Sequence, residues 1–283
     1  MTEISKVEIQ IAEDKNKIVL QNKAKELLQN KAVDIIVGYG EGTDNTVHAV
    51  FITNPDNTSE LIYDERCLQN LAVYLLKAEV RKFTKIGIIA NIPVMRTILQ
   101  LASENQLKEE KIVIIGITAD GSLKEFSGFN ELQEYIQLNN LGISEEDQEI
   151  LNKLDSMTAE ERWNFWTEQF SRCNKCYACR AACPLCYCNR CQVEYNQPQI
   201  ITPESTTQGN FEWHFMRAMH LAGRCIECGE CGRACNVKIP VHLLTFKMSQ
   251  TVKNTFGITA GTDAKLGSVM STFKPDDKEN FIQ

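Results

Sequence analysis

The chain lacks any apolar stretch approaching the roughly 18 residues needed to cross a bilayer. Its first residues, MTEISKVEIQ, lack the basic start and apolar core of a secretory signal. These absences predict a protein of the reducing cytoplasm that does not span a membrane. Positive charge is also short: 30 Lys and Arg against 37 Asp and Glu leave a formal net charge of −7. A nucleic-acid binder usually shows a basic face, so no nucleic-acid partner is expected. The dinucleotide fingerprint G-x-G-x-x-G is missing. The nearest stretch, VGYGEG at 37–42, has the wrong spacing and no clear helix after it, and reads as a turn. Histidine is scarce, with four in 283 residues.

Cysteine is abundant. The twelve are Cys67, then Cys173, Cys176, Cys179, Cys183, Cys186, Cys188 and Cys191, then Cys225, Cys228, Cys231 and Cys235. In a reducing compartment, clustered thiols at C-x-x-C spacing hold metal more often than they form disulfides.

The first half reads as α/β. AVDIIVGYG (32–40), TVHAVFI (46–52), KIGIIA (85–90) and KIVIIGI (111–117) are β-branched apolar runs and predict strands. DERCLQNLAVYLLKAEV (64–80) and VMRTILQLASENQ (94–106) carry apolar residues at helical spacing. Strand, helix, strand with short connections predicts a parallel βαβ unit. After residue 117 the pattern turns helical. FNELQEYIQLNN (129–140) is a helix, and SEEDQEILNKLDSM (144–157) follows with Ser144 as its N-cap. TAEERWNFWTEQF (158–170) opens with a capping box, Thr158 and Glu161. Its aromatics, Trp163, Phe165, Trp166 and Phe170, read as core. The expected organisation is an α/β domain over 1–140, a helical connector over 141–172, a mainly α-helical dicluster ferredoxin domain over 173–250, and a tail over 251–283 that contacts a partner.

Two runs share the spacing C-x2-C-x2-C-x3-C, at 173/176/179/183 and 225/228/231/235. In two-cluster ferredoxins three cysteines of such a run hold one 4Fe–4S cube, and the fourth ligates the other. Cluster I is therefore assigned to Cys173, Cys176, Cys179 and Cys235, and cluster II to Cys183, Cys225, Cys228 and Cys231. Structural zinc also takes four thiolates, but two full copies of the run favour iron. Asn236 stands where the second run would usually carry proline, a residue that shapes the turn and ligates nothing. Between the runs, NFEWHFMRAMHLAG (210–223) predicts a helix with Phe211, Phe215, Ala218 and Met219 on one side, and PVHLLTFKM (240–248) predicts another. Residues 160–250 thereby resemble the helical two-cluster ferredoxins in the iron–sulfur subunits of heterodisulfide reductase and succinate dehydrogenase.

Four cysteines remain: Cys186, Cys188 and Cys191 in the tight stretch CYCNRC, and the distant Cys67. They predict a third 4Fe–4S cluster, with Cys67 at a helix N-terminus that favours a thiolate. A zinc held by the same four, or a free buried Cys67 beside redox-active surplus thiols, are the alternatives. His48, His214, His220 and His242 are read as packing or hydrogen-bonding groups. Lys175, Arg180, Arg190, Arg224 and Arg233 surround the runs and balance cluster charge.

VDIIVGYGEGTD, CLQNLAVYLLK, KIGIIANIPVMRTILQ and KIVIIGITADG resemble the N-terminal domain of the beta subunits of coenzyme F420-dependent hydrogenases and formate dehydrogenases. RCNKCYACRAACPLCYCNRC and RAMHLAGRCIECGECGRACNVKIP resemble ferredoxin-containing relatives of that family. The resemblance implies an oxidoreductase complex, and family members bind a flavin. Here the loop ANIPVMR keeps Arg96 but lacks the family's glycine and cysteine, and their N-terminal flavin-binding stretch has no clear match. Those departures speak against FAD in this chain. The expected function is an electron-transfer subunit, not itself catalytic. It would relay single electrons through two or three 4Fe–4S clusters between a flavin- or metal-containing partner and another redox subunit. Such partners would be a flavoprotein, hydrogenase, formate dehydrogenase or heterodisulfide-reductase-like subunit. The alternative is a flavin- or F420-type oxidoreductase with the flavin in the α/β half.

Overall fold

The computed structural model describes residues 3–139 and 142–267, with side chains from residue 16 onward. It divides into two compact units, Met1–Asn140 and Leu141–Gln283. The last 16 residues of the expected partner-contacting tail, from 268 on, lie outside the described residues. No helix among the described residues is long and apolar enough to cross a membrane.

The first unit opens with helix α1 (Glu3–Gln29). Leu20, Ala24, Leu27 and Leu28 of α1 are buried at helical spacing. Strands β1 (Ile35–Glu41), β2 (Val47–Ile52) and β3 (Leu61–Ile62) follow, then the short helix α2 (Ala78–Arg81). Next come β4 (Ile86–Ala90), helix α3 (Ile92–Ser103), β5 (Ile112–Ile117), β6 (Leu123–Phe126) and helix α4 (Phe129–Leu138). The sheet order is β2-β1-β4-β5-β6, with β3 paired to β1. The pairs β1–β4 and β4–β5 are parallel, and the flanking pairs are antiparallel. The βαβ unit is β4-α3-β5. Its central strand is apolar on both faces because every residue of β4 is buried. Asn91 caps α3, its side chain accepting the Val94 N–H at 3.2 Å, and Pro93 occupies the first turn, where its missing N–H costs nothing.

Three expectations fail in this unit. VGYGEG is mostly strand, since β1 runs to Glu41. A Cβ at Gly38 would lie 2.4 Å from the Leu61 side chain, and one at Gly40 would lie 2.4 Å from Val50. These glycines admit neighbouring side chains instead of making a turn. The stretch 64–80 is not one helix. It holds a single 3₁₀ turn, Leu71–Tyr74, and the four-residue α2. Asp64 and Asn70 account for this. Asp64 Oδ1 accepts the Arg66 N–H at 2.9 Å, and Asn70 Oδ1 accepts the Ala72 N–H at 3.2 Å, so side chains take amides that a continuous helix would use. Cys67 therefore does not sit at a helix N-terminus. Residues after 117 are also not purely helical, because β6 precedes α4.

Helices are the regular structure of the second unit's described residues, with irregular chain between α7 and α8. It contains α5 (Glu145–Ser156), α6 (Ala159–Ser171), α7 (Ala178–Ala181), α8 (Thr207–His220), α9 (Glu230–Arg233) and α10 (Val241–Phe256). Ser144 Oγ accepts the Asp147 N–H at 3.1 Å, and Thr158 with Glu161 forms the reciprocal capping box. Helix α10 continues past residue 250 and stops at Gly257, whose φ of 70° is a left-handed C-cap. Phe170, Trp213, Ile239 and Val241 form one buried cluster with Cys179, Cys231 and Cys235. Leu151, Leu154, Leu243 and Phe246 form another. Trp163 was expected in the core and is 57% exposed, although its ring meets Phe211 at 4.5 Å.

Candidate metal centre

The two cysteine runs fold alike. In the first, Lys175 and Tyr177 have φ of 52° and 58°; in the second, Glu227 and Gly229 have 60° and 73°. Left-handed residues placed between right-handed ones curl a chain so that successive N–H groups face one concavity. The Lys175 N–H donates to Cys173 Sγ at 3.4 Å, and the Glu227 N–H donates to Cys225 Sγ at 3.4 Å. Each run then makes one helical turn, α7 or α9. Each closes through its fourth cysteine, Cys183 N–H to Arg180 O at 3.2 Å and Cys235 N–H to Gly232 O at 3.1 Å. The Ile239 N–H donates to Cys235 Sγ at 3.3 Å. Hydrogen bonds of this kind stabilise a thiolate.

Cys183, Cys225, Cys228 and Cys231 line one narrow cavity. Leu185, Leu221, Ile226 and Phe246 supply apolar wall. Cys173 is in electrostatic contact with Cys176 and Cys235, and Cys179 with Cys173 and Cys235. Cys186, Cys188 and Cys191 line a wider cavity of about 980 Å³, counting space open to solvent, beside Arg180, Arg190, Arg217, His220 and Arg224. Cys67 belongs to the first unit. It is 2% exposed and sits in a turn where the Asp64 N–H meets its Sγ at 3.4 Å. Among the described residues, no group of three or more His, Cys, Asp or Glu side chains is gathered as for a single metal ion. The donor chemistry fits an iron–sulfur group: soft thiols beside an apolar wall, with backbone N–H groups on the sulfurs.

Burial dominates the electrostatics. It pushes the thiols of Cys179 and Cys225 up to about 11 and that of Cys228 up to about 12, and it raises Cys173 and Cys231. Cys186 is held well above the ordinary value by its hydrogen bond to Cys183 and then by burial. Burial also pushes Cys67 up to about 12. Bound cations reverse that logic, since a coordinating thiol is deprotonated outright.

The inward face of α8 differs from the expected one. Of the expected stripe, Ala218 is buried and Phe211 packs against the Phe170 cluster, but Phe215 and Met219 are 49% and 38% exposed, and Asn210, Trp213, His214 and Arg217 are buried as well. Asn210, Trp213, His214 and Arg217 also follow helical spacing, but three are polar, so a hydrophobicity pattern finds only part of the buried face. Each polar one has work. Asn210 Nδ2 donates to Phe170 O at 3.0 Å and Cys173 O at 2.7 Å. His214 stacks on Phe170 at 4.5 Å and places Nε2 3.3 Å from Cys173 Sγ; burial pushes its pKa down to about 3, so the ring is neutral. Arg217 Nη2 donates to Cys179 O at 3.0 Å.

Several cations near the runs tie their carbonyls. Arg180 Nη2 donates to Cys188 O at 2.7 Å, Arg233 Nη2 to Cys228 O at 2.6 Å, and Arg224 Nη2 to Leu185 O at 3.3 Å. Lys175 Nζ reaches Thr202 O at 2.5 Å, and the Arg190 guanidinium lies 5.9 Å from the Tyr195 ring. His242 Nε2 pairs with Asp147 Oδ1 at 2.9 Å, while His48 and His220 are exposed.

No protein-family model matches the chain. Curated relatives match about a third of it. The F420-dependent formate dehydrogenase subunit beta of Methanocaldococcus jannaschii is 33% identical over 101 residues, covering 36% of this chain and 26% of the relative. The F420-dependent formate dehydrogenase 1 subunit beta of Methanococcus maripaludis is 33% identical over 101 residues, covering 35% of this chain and 24% of the relative. The chain resembles these beta subunits. It spans about a quarter of their length.

Proposed function

We propose that this chain is an iron–sulfur electron-transfer subunit of a multisubunit oxidoreductase. The observation that carries the reading is how cysteines of the two runs group with one another. Cys183 of the first run shares a cavity with Cys225, Cys228 and Cys231 of the second, while Cys235 of the second is in electrostatic contact with Cys173 and Cys179 of the first. The relatives' names support an oxidoreductase subunit. Bound 4Fe–4S clusters would supply one-electron transfer. Cys173, Cys176, Cys179 and Cys235 would hold one, and Cys183, Cys225, Cys228 and Cys231 the other. Cys186, Cys188 and Cys191 are thiols left over for a further site in the second unit. The curled backbone donates N–H groups to the sulfurs, and the apolar wall excludes water. A cluster relay needs a donor and an acceptor, so partners are redox subunits of the flavoprotein, hydrogenase, formate dehydrogenase or heterodisulfide-reductase-like kind.

Anaerobic purification with iron and zinc analysis and EPR tests this. About 8 Fe per chain corresponds to two clusters and about 12 Fe to three. A chain that holds zinc and no iron would sink the reading. Cys67→Ser tests whether the twelfth cysteine belongs to any cluster: loss of about 4 Fe and one EPR signal would show that it does, and unchanged iron that it does not.

The relatives' names also favour a second reading, a flavin- or F420-type oxidoreductase. Arg96, the family-like residue of its loop, is buried in α3. Extraction of a fluorescent yellow cofactor would favour that reading; its absence from the purified complex subunit would remove it.

A further inference from the structure

Arg217 is 4% exposed on α8 and lines both cysteine cavities. Among the described residues it is the one charged side chain common to the two linings. Its guanidinium is in electrostatic contact with Cys186, Cys183, Cys231 and Cys179, and its Nη2 donates to Cys179 O at 3.0 Å. Those four cysteines come from all three candidate sets. Glu230, which also lines the first cavity, is engaged by Arg233, whose Nε donates to it at 2.9 Å.

We infer that Arg217 is a positioning residue that acts as a shared counter-charge for the two main clusters and sets their reduction potentials together. The inference rests on the iron–sulfur reading above. A cube with four thiolates carries net negative charge, and reduction adds one more. A buried positive charge beside it favours the reduced form, and screening is weak away from water. Arginine keeps that charge at any working pH. Because one guanidinium touches ligands of both sets, neutralising it moves both potentials in the same direction, toward more negative values.

The test is redox-poised EPR and iron analysis on the anaerobically purified full chain as wild type, Arg217→Met and Arg217→Lys, with the surface variant Lys247→Met as control. Reducible cluster signals in the wild type are the precondition; without them the iron–sulfur reading itself falls. Given those signals, Arg217→Met should keep its iron and lower both one-electron equilibrium constants about tenfold or more, ~59 mV each. Arg217→Lys should shift them much less, and Lys247→Met not at all. Unchanged potentials in an iron-replete Arg217→Met protein, or a shift in one cluster alone, would overturn the inference. If Arg217→Met loses iron, rescue of iron by lysine supports a charge requirement. Loss in both variants assigns Arg217 a purely structural role and overturns it.

Discussion

In the first unit β4 buries Ile86, Gly87, Ile88, Ile89 and Ala90 between two parallel neighbours, and α3 covers it with Val94, Met95, Ile98 and Leu99, all at 0% exposure. In the second, Cys179, Cys231 and Cys235 share a core with only five other buried residues, and polar Asn210, His214 and Arg217 face inward on α8. The first interior gains stability simply by removing apolar area from water. The second buries thiols that are small hydrophobes while protonated and costly when ionised. Such an interior is self-consistent once a bound group takes up the thiolates. Binding free energy then becomes folding free energy.

The largest expected effect follows directly. Removing iron with a chelator under reducing conditions should unfold the second unit and leave the first standing. All three tryptophans, Trp163, Trp166 and Trp213, lie in the second unit, so their fluorescence reports it alone. Amide exchange in β4 and β5 reports the first. Loss of both signals together, or of neither, would break the contrast drawn between the two interiors.

The converse perturbation is smaller. Ile89 is fully buried in the central strand, so Ile89→Ala deletes packed methyls and leaves a cavity. It should destabilise the first unit by about 2–5 kcal/mol. Iron content and the tryptophan signal of the second unit should not change. Loss of iron in this variant would show that the apolar core supports the metal centre.

The contrast also explains what the sequence made legible. In the first unit burial is mostly apolar, although α3 also buries Arg96, Thr97 and Gln100, so periodicity located β1, β2, β4, β5, α3 and α4 to within a few residues. It failed where side chains intervened in the backbone, as Asp64 and Asn70 do before the 3₁₀ turn, and where β6 offers only the four residues LKEF. In the second unit the caps at Ser144 and Thr158 were legible because each is a local hydrogen-bond pattern. The inward face of α8 was not. Phe211, Phe215, Ala218 and Met219 look like a core stripe, but the neighbours of α8 are thiols and carbonyls that need donors and positive charge. Arg217 was invisible for that reason, although its i, i+3, i+4, i+7 relation to Asn210, Trp213 and His214 was there to read. The grouping of Cys67 with Cys186, Cys188 and Cys191 rests on counting, since spacing relates only the last three.

The smallest effect lies on the surface of the first unit. Glu131, in the first turn of α4, accepts the Ser127 N–H at 2.9 Å, the Ser127 hydroxyl at 2.8 Å and Lys124 Nζ at 2.9 Å. The Ser127 N–H above all, then Lys124 and the Ser127 hydroxyl, hold its carboxyl down to about 2 from an ordinary 4.5. Between those values the unfolded chain binds the proton and the folded chain does not, so stability rises with pH across that window. The contribution is therefore fully present above about pH 4.5 and is lost as pH falls toward 2. Glu131→Gln should flatten that part of the pH dependence of β4 and β5 amide protection and weaken the first unit slightly at neutral pH. The iron-loaded second unit should be indifferent to it. An unchanged pH slope in the variant would mean that this exposed carboxylate, screened by water and salt, contributes nothing measurable, and that the first unit draws its stability from its apolar interior alone.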